Sequence, residues 1–393
     1  MPGSVIVSSA RTPIGKLSGA FASLSAMDLG GVAIRAALER GGVGPEQIDY
    51  VLMGHVLQAG QGQITARQAA AKAGIPMSVP AMTVNKVCLS GINAIYLADQ
   101  MIQAGDAEVV VAGGMESMTA APYVLPSARA GYRMGNGEII DSLIHDGLWC
   151  AFDMEHMGTG TQRYANEKEI ARDAQDELAA KSHERAASAI KEGRFADEIA
   201  PVEIPQRKGD PVLIDADEGV RPGTTTESLG TLKPAFHKDG TITAGNASQI
   251  SDGGAALVMT SREKADELGL TPIAELLSYG MVAGPDPSLL HQPSRAIKRA
   301  LEPIDTTVGD VDLFEINEAF AAVGVASMRD LGISDDIVNV NGGAIALGHP
   351  VGMSGARIVL TLINELRRRG GTLGAAALCG GGGQGDAAIV RAL

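Results

Sequence analysis

The chain is 393 residues long, 45% hydrophobic and 20% charged, with 46 acidic against 32 basic side chains and a net charge of −14. That length and apolar share exclude a disordered protein and leave room for two or three domains whose core needs no disulfide or metal staple. The acidic balance, only 3% aromatics and no basic run longer than Arg367-Arg368-Arg369 speak against nucleic acid and anionic membrane as partners. No apolar run approaches the roughly 20 residues of a membrane-spanning helix. Met1-Pro2-Gly3-Ser4 leads into an apolar Val5-Ile6-Val7 strand without a targeting pattern, and three cysteines form no paired framework. The expectation is a soluble cytoplasmic protein. Glycine is the outlier at 50 residues, about 13% against a usual 7%, spread in no repeat and so pointing to tight turns and close backbone approaches.

In chain order, the Val5–Val7 strand is followed by a helical pattern at Ala33–Glu39, a strand at Ile48–Gly54, and Cys88-Leu89-Ser90-Gly91 opening a helix over Ile92–Ala104. The apolar strand Val109–Ala112 then ends in Gly113-Gly114. From about Met118 to Gly245 the chain turns rich in Pro, Gly and charge, with one strong amphipathic helix from Ala171 to Lys191, stopped near Gly193. The earlier pattern then returns: a helix at Ala296–Glu302, a strand at Val311–Asn317, Gly352-Met353-Ser354-Gly355 before a helix over Ala356–Arg369, and a strand running into Cys379 and Gly380–Gly383. The matching blocks lie 263 or 264 residues apart, so the sequence contains itself twice around an insertion. Each copy alternates helices with short apolar strands, the pattern of an α/β protein with a mixed or parallel sheet covered by helices.

Polar residues that interrupt the apolar pattern fall at equivalent places in the two copies. Cys88 directly precedes a helix, where the macrodipole and free N–H groups favour a thiolate; on position alone it reads equally as a nucleophile or as a small buried hydrophobe. Cys379 enters four glycines whose N–H groups are free for a ligand oxygen, as an oxyanion hole requires. His349 sits between Gly348 and Pro350, where packing alone needs no imidazole, and Asn317 and Glu318 end a strand. Cys150, His55, His183, His237 and His291 lack such surroundings and read as structural. No spacing fits zinc, a dinucleotide fingerprint or a phosphate loop, so no metal is expected.

Four blocks, Asn85-Lys86-Val87-Cys88-Leu89-Ser90-Gly91, Asn317-Glu318-Ala319-Phe320-Ala321, Asn341 to Pro350 and Cys379 to Gly383, together with Gly113 to Met118 and Thr243 to Ser248, resemble the thiolase family over the whole chain. His156-Met157-Gly158 is similar to the biosynthetic short-chain branch, whereas Leu89 stands where relatives commonly carry Gly or Ala. The resemblance implies a thiolase fold of duplicated βαβαβαββ halves in five layers, αβαβα, with halves at 1–118 plus 246–270 and at 271–393 and an inserted loop domain at 119–245. It implies an acyltransferase that condenses two acetyl-CoA into acetoacetyl-CoA and CoA through an acetylated Cys88, reversibly, in lipid metabolism. His349 would activate Cys88, Cys379 would take a proton from the second acetyl-CoA, and His349 with a water on Asn317 would hold the enolate oxygen. Backbone N–H groups of Cys88 and Gly381 would face the tetrahedral oxyanion.

Coenzyme A thioesters are then substrates, with no permanently bound cofactor. Their expected contacts are Leu148, His156 and Met157 near the acyl group, Arg221 and Ser228 near the nucleotide, and Ala244, Ser248, Ala319 and Phe320 along the way. The family's assembly implies a homotetramer, a dimer of dimers joined through the loop near Tyr123–Gly137. A degradative 3-ketoacyl-CoA thiolase of broader chain length is the alternative. Ketoacyl synthases of the same fold show Cys-His-His or Cys-His-Asn rather than Cys-His-Cys, and a non-catalytic acyl-CoA-binding protein would not need every catalytic residue.

Overall fold

The computed structural model describes residues 3–393, so Met1 and Pro2 lie outside the described residues. The strands that matter for the site are β1 (Val5–Arg11), β2 (Tyr50–Gly54), β3 (Ala81–Val84), β4 (Val109–Ser117), β5 (Ser251–Thr260), β6 (Ala274–Ala283), β7 (Leu313–Ile316), β8 (Leu373–Gly380) and β9 (Gln384–Ala392). Their order is β7-β8-β9-β6-β1-β5-β4-β2-β3. The outer pairs β3/β2, β2/β4 and β7/β8 are parallel, and the ladders between β4 and β8 are antiparallel. The sheet is therefore mixed, as the repeated pattern suggests.

Among the described residues the helices of eight residues or more are α1 (Ala26–Gly41), α2 (Thr65–Lys72), α3 (Ser90–Ala104), α4 (Met157–Glu167), α5 (Arg172–Lys191), α6 (Gln292–Leu301), α7 (Ala321–Leu331) and α8 (Ser354–Arg369). Local chemistry sets their ends. Ser25 and Asp28 form a reciprocal capping box at the start of α1, and Gly42, Gly105, Gly332 and Gly370 close α1, α3, α7 and α8 at φ of 63° to 78°. The α5 helix begins at Arg172, with Ala171 as its cap, and the chain turns at Gly193 with φ 70°.

Two half-sheets emerge, β3-β2-β4-β5-β1 and β7-β8-β9-β6. Among the described residues they meet through the short antiparallel ladder Val5–Glu275 and Ile6–Ala274, which makes one continuous sheet path of the two expected sheets. Three apolar clusters give the layering. One joins α1 and α2 to the first half-sheet, one joins α6 to the second, and the largest centres on α3 and α8 between them. An α8 enclosed on both sides has no solvent stripe until Arg367–Arg369, and its core is Leu, Ile and Val. The helices α3 and α8 approach so closely that a Cβ on Gly355 would lie 2.3 Å from Ile92 N, and one on Gly91 2.8 Å from Ala356 N. That contact is the physical reason both copies carry glycine at the second position of the helix.

Within 119–245, α5 packs on α7 and on the short helix Ala344–Leu347. The same stretch is tied to β1 by a buried cluster. Arg11 donates to Glu198 at 2.7 Å and to both oxygens of Asp217 at 2.7 and 2.9 Å. The carboxylates hold the Arg11 guanidinium firmly charged despite complete burial.

Candidate active site

The nucleophile candidate sits in a short strained turn between β3 and α3. Val87 adopts φ 52°, a left-handed conformation unusual for a β-branched residue. Hydrogen bonds hold it there: Val87 N–H donates to Asn85 Oδ1 at 3.1 Å, and Ser90 Oγ donates to the Val87 carbonyl at 2.6 Å while accepting from Lys86 N–H at 2.8 Å. The turn delivers a buried Cys88 whose sulfur faces the N–H groups of Cys88 itself and of Gly381. Burial pushes the Cys88 thiol up to about 12, against the downward pull of those two N–H groups and with a further upward push from Glu116. Desolvation outweighs the helix-start pull toward a thiolate, so the group rests as a thiol that needs a base, the part the resemblance gives to His349.

Cys379 is the last residue but one of β8, also buried; burial and then the nearness of Cys88 push its thiol up. The two sulfurs, one from each copy, therefore share one site. The glycines that follow do different things. A Cβ on Gly380 would lie 2.5 Å from Leu89 Cγ, so the bulky Leu89 fits because position 380 has no side chain. A Cβ on Gly381 meets nothing nearer than Val87 at 3.4 Å, and its φ is not in the left-handed region, so packing does not demand glycine there.

His349 is buried, and burial followed by the nearby Arg357 cation lowers its pKa to about 3, so the ring is neutral at rest. Its Nδ1 is 2.6 Å from Ser354 Oγ, which donates its proton to the Pro350 carbonyl at 3.0 Å. Ser354 thus accepts from Nδ1–H, and Nε2 is left with its lone pair. Asn317 Nδ2 is 3.4 Å from Nε2, and among the described residues Asn317 Oδ1 has no hydrogen-bond partner although fully buried, an acceptor a water molecule can satisfy. Glu318 fixes this segment from behind, receiving Ser182 Oγ at 2.7 Å, Asn339 Nδ2 at 2.9 Å and Ile345 N–H at 3.1 Å.

The expected acyl and coenzyme contacts fall into two neighbouring groups. Met157 and Phe320 pack on an apolar cluster that contains Ala319 and Cys379, and Leu148 packs on the one that contains Cys88. His156 caps α4, stacks on Phe236 at 5.0 Å, and Phe236 meets Phe320 edge-on at 6.1 Å. Gly158 is needed beneath that ring, since a Cβ would lie 2.3 Å from Phe236. Ser248 N–H donates to the Ala319 carbonyl at 3.1 Å, joining the two segments. Arg221, Ser228 and Ala244 line one cleft of about 220 Å³ with His183 and Ile345.

Sequence reasoning assigned no part to Phe236, which stands alone in a Pro-rich loop, nor to His183, which accepts from Arg221 N–H at 3.2 Å and so shapes the cleft. Ser354 carried a signal, its match to Ser90 across the repeat, but no chemical role. Among the described residues no group of His, Cys, Asp or Glu is arranged to hold a metal, and no helix is long and apolar enough to cross a membrane.

Comparison with known proteins agrees over the whole length. Residues 4–263 match the thiolase N-terminal domain and residues 270–392 the thiolase C-terminal domain. A probable acetyl-CoA acetyltransferase of Mycolicibacterium smegmatis is 56% identical over 98% of this chain and 100% of its own. An acetyl-CoA acetyltransferase of Cupriavidus necator is 55% identical over 98% of each. The crystal structure of the Bacillus anthracis acetyl-CoA acetyltransferase superposes with a TM-score of 0.97 at 43% identity, covering 100% of this chain and 99% of that one.

Proposed function

Since the chain belongs to the thiolase family and is an acyltransferase, we propose that it is an acetyl-CoA C-acetyltransferase, joining two acetyl-CoA into acetoacetyl-CoA and CoA and running in reverse as thiolysis. The observation that supports this reading is the nearness of two buried thiols from opposite copies, together with a buried neutral histidine whose Nε2 carries its lone pair. His349 Nε2 takes the Cys88 proton, and the sulfur attacks the first thioester. The oxyanion of that step faces the Cys88 and Gly381 N–H groups, a donor worth about 2.7–4 kcal/mol of barrier. The departing CoA thiolate takes the Cys379 proton, which leaves acetylated Cys88, a Cys379 thiolate and a protonated His349.

Cys379 then removes a proton from the methyl carbon of the second acetyl-CoA. The enolate oxygen lies against His349 Nε2–H and a water on Asn317. The carbanion attacks the acetyl carbon, and the released Cys88 sulfur regains its proton from His349. Cys88 and His349 end as they began, the methyl proton replaces the one that Cys379 gave to CoA, and Cys379 thiolate and imidazolium compensate one another in a site where either alone is costly.

The aromatic set His156, Phe236 and Phe320 against Met157 supports a short acyl group. Arg221 and Ser228 are assigned to the nucleotide end, and the exposed Tyr123, Leu125 and Met134 of the 123–137 loop to the contact between dimers of a tetramer. Incubation with acetyl-CoA alone tests the reaction: equal amounts of free thiol and acetoacetyl-CoA are expected, and free thiol without the condensed product would defeat the reading. Thiolysis rates fall steeply from four-carbon to twelve-carbon substrates on this account; equal rates favour the broader-chain degradative enzyme.

A further inference from the structure

Glu116, near the end of β4, buries its carboxylate completely and collects backbone N–H groups from three residues. Val56 and Gly352 donate to Oε2 at 3.1 and 3.0 Å, and Leu57 to Oε1 at 3.2 Å. His55 Nε2 lies 3.3 Å from Oε1, with its Nδ1 2.9 Å from Thr65 Oγ1. These partners come from both copies of the fold. The copies also correspond in register: Tyr50 faces Val110 as Leu313 faces Gly374, positions 263 and 264 apart. By the same offset of 264, Gly352 is the counterpart of Cys88, and Glu116 that of Gly380.

The duplicated architecture thus builds the same entrance twice, one before each central helix. Before α3 it holds a reactive thiol, with N–H groups of Cys88 and Gly381 turned to the sulfur. Before α8 it holds Gly352, whose N–H is already taken by an anion supplied from the protein itself. A side chain at 352 has no place there, since its Cβ would lie 2.6 Å from the Met115 carbonyl and 2.8 Å from Glu116 Oε2. Gly352 is three residues past His349 and two before Ser354, so whatever grips it sets the segment that carries the base.

We propose that Glu116 is a positioning residue of the reaction: an internal anion filling the second copy's counterpart of the oxyanion site, which fixes the His349–Ser354 segment against the first copy and places a negative charge beside Cys88. The proposal rests on the reading above that Cys88 is the nucleophile and His349 its base. The other titratable group that acts on Cys88 is Cys379 from β8, and His349 faces it on the functional reading above. Lys86, on the same segment as Cys88, is committed to Asp386 at 2.8 Å. With Glu116 in place the nucleophile keeps its proton until the base removes it, consistent with the upward push of this carboxylate on the thiol.

Two variants of the full chain test it, each checked for folding by thermal unfolding. Alkylation of Cys88 by iodoacetamide, followed by peptide mass spectrometry across pH, needs no acyl-CoA and so stands apart from any error in the functional reading. In Glu116→Gln the alkylation midpoint falls by about one pH unit, roughly tenfold more thiolate at a fixed pH below it. Its kcat falls about tenfold or more while KM for acetyl-CoA stays within about twofold, as for a group that orients the base and does not touch substrate. Glu116→Asp keeps the charge but retracts by one carbon–carbon bond, about 1.5 Å, from Gly352. It loses kcat without the downward shift. A folded Glu116→Gln whose midpoint or kcat matches the parent overturns the proposal. Should that variant not fold, Glu116→Asp decides, and a parental kcat there overturns it.

Discussion

Substituting alanine for the glycines that follow Cys379, one at a time, separates packing from chemistry, because each position meets different neighbours. At Gly381 the added methyl touches only Val87, at 3.4 Å, and the backbone is not left-handed. Reduced freedom of the unfolded chain then stabilises Gly381→Ala by about 0.4–1 kcal/mol. The Gly381 N–H faces the Cys88 sulfur, so on the proposed function the methyl stands close to the thioester, whose displacement on the order of 1 Å lowers kcat/KM about 10²-fold. At Gly380 the methyl meets Leu89 Cγ at 2.5 Å, an overpacking that costs about 1–3 kcal/mol. At Gly383 it meets the Asp286 carbonyl, and φ is 70°, so the left-handed conformation adds about 1–2 kcal/mol of its own. Urea unfolding and condensation rates on the three variants give the comparison. Gly381→Ala should unfold at or above the parental midpoint and be the least active for its stability. A Gly381→Ala enzyme as active as the parent, or one less stable than Gly380→Ala, would refute the assignment of that glycine to substrate access.

Two further predictions concern His349. Ser354→Ala leaves the buried Nδ1–H without an acceptor and no longer fixes the tautomer; the cost of about 1–3 kcal/mol corresponds to a loss of about 5- to 150-fold in kcat/KM, measured by steady-state kinetics. The pH profile follows from the depressed pKa. Above about 3 the native ring is neutral, so kcat/KM should show no inflection near 6.5, the ordinary histidine value, and one found there that disappears in His349→Asn would contradict the burial argument. For stability the sign is the same: the unfolded chain binds the proton below about 6.5 while the native ring does not, so this group destabilises the fold as pH falls from there toward 3, and adds nothing below.

The repeat is legible in the sequence because each copy must build the same helix crossing, and Gly91 and Gly355 mark it wherever two helix backbones touch. The ladders bear it out at offsets of 263 and 264. The continuous sheet path was not legible, since Val5–Glu275 and Ile6–Ala274 pair residues with no distinguishing pattern. At the site, Cys88, Cys379, His349 and Asn317 stand out because they break apolar runs, and the structure brings Cys379 near Cys88 and Asn317 to His349. The charge state of Cys88 was not readable: helix position is a sequence property, but the desolvation that overrides it belongs to the packed fold. Leu89 and Gly380 show the same limit, being complementary in space while nearly 300 residues apart. Phe236 is an ordinary loop residue until folding lays it over Gly158 and against His156.

Intact-protein and peptide mass spectrometry after mixing with acetyl-CoA tests the division of labour between the two sulfurs. One acetyl group is expected on Cys88 and none in Cys88→Ala. Cys379→Ala should still become acetylated at Cys88, more slowly, and form no acetoacetyl-CoA. Acetyl found on Cys379 in the parent, or acetylation abolished in Cys379→Ala, would contradict the account.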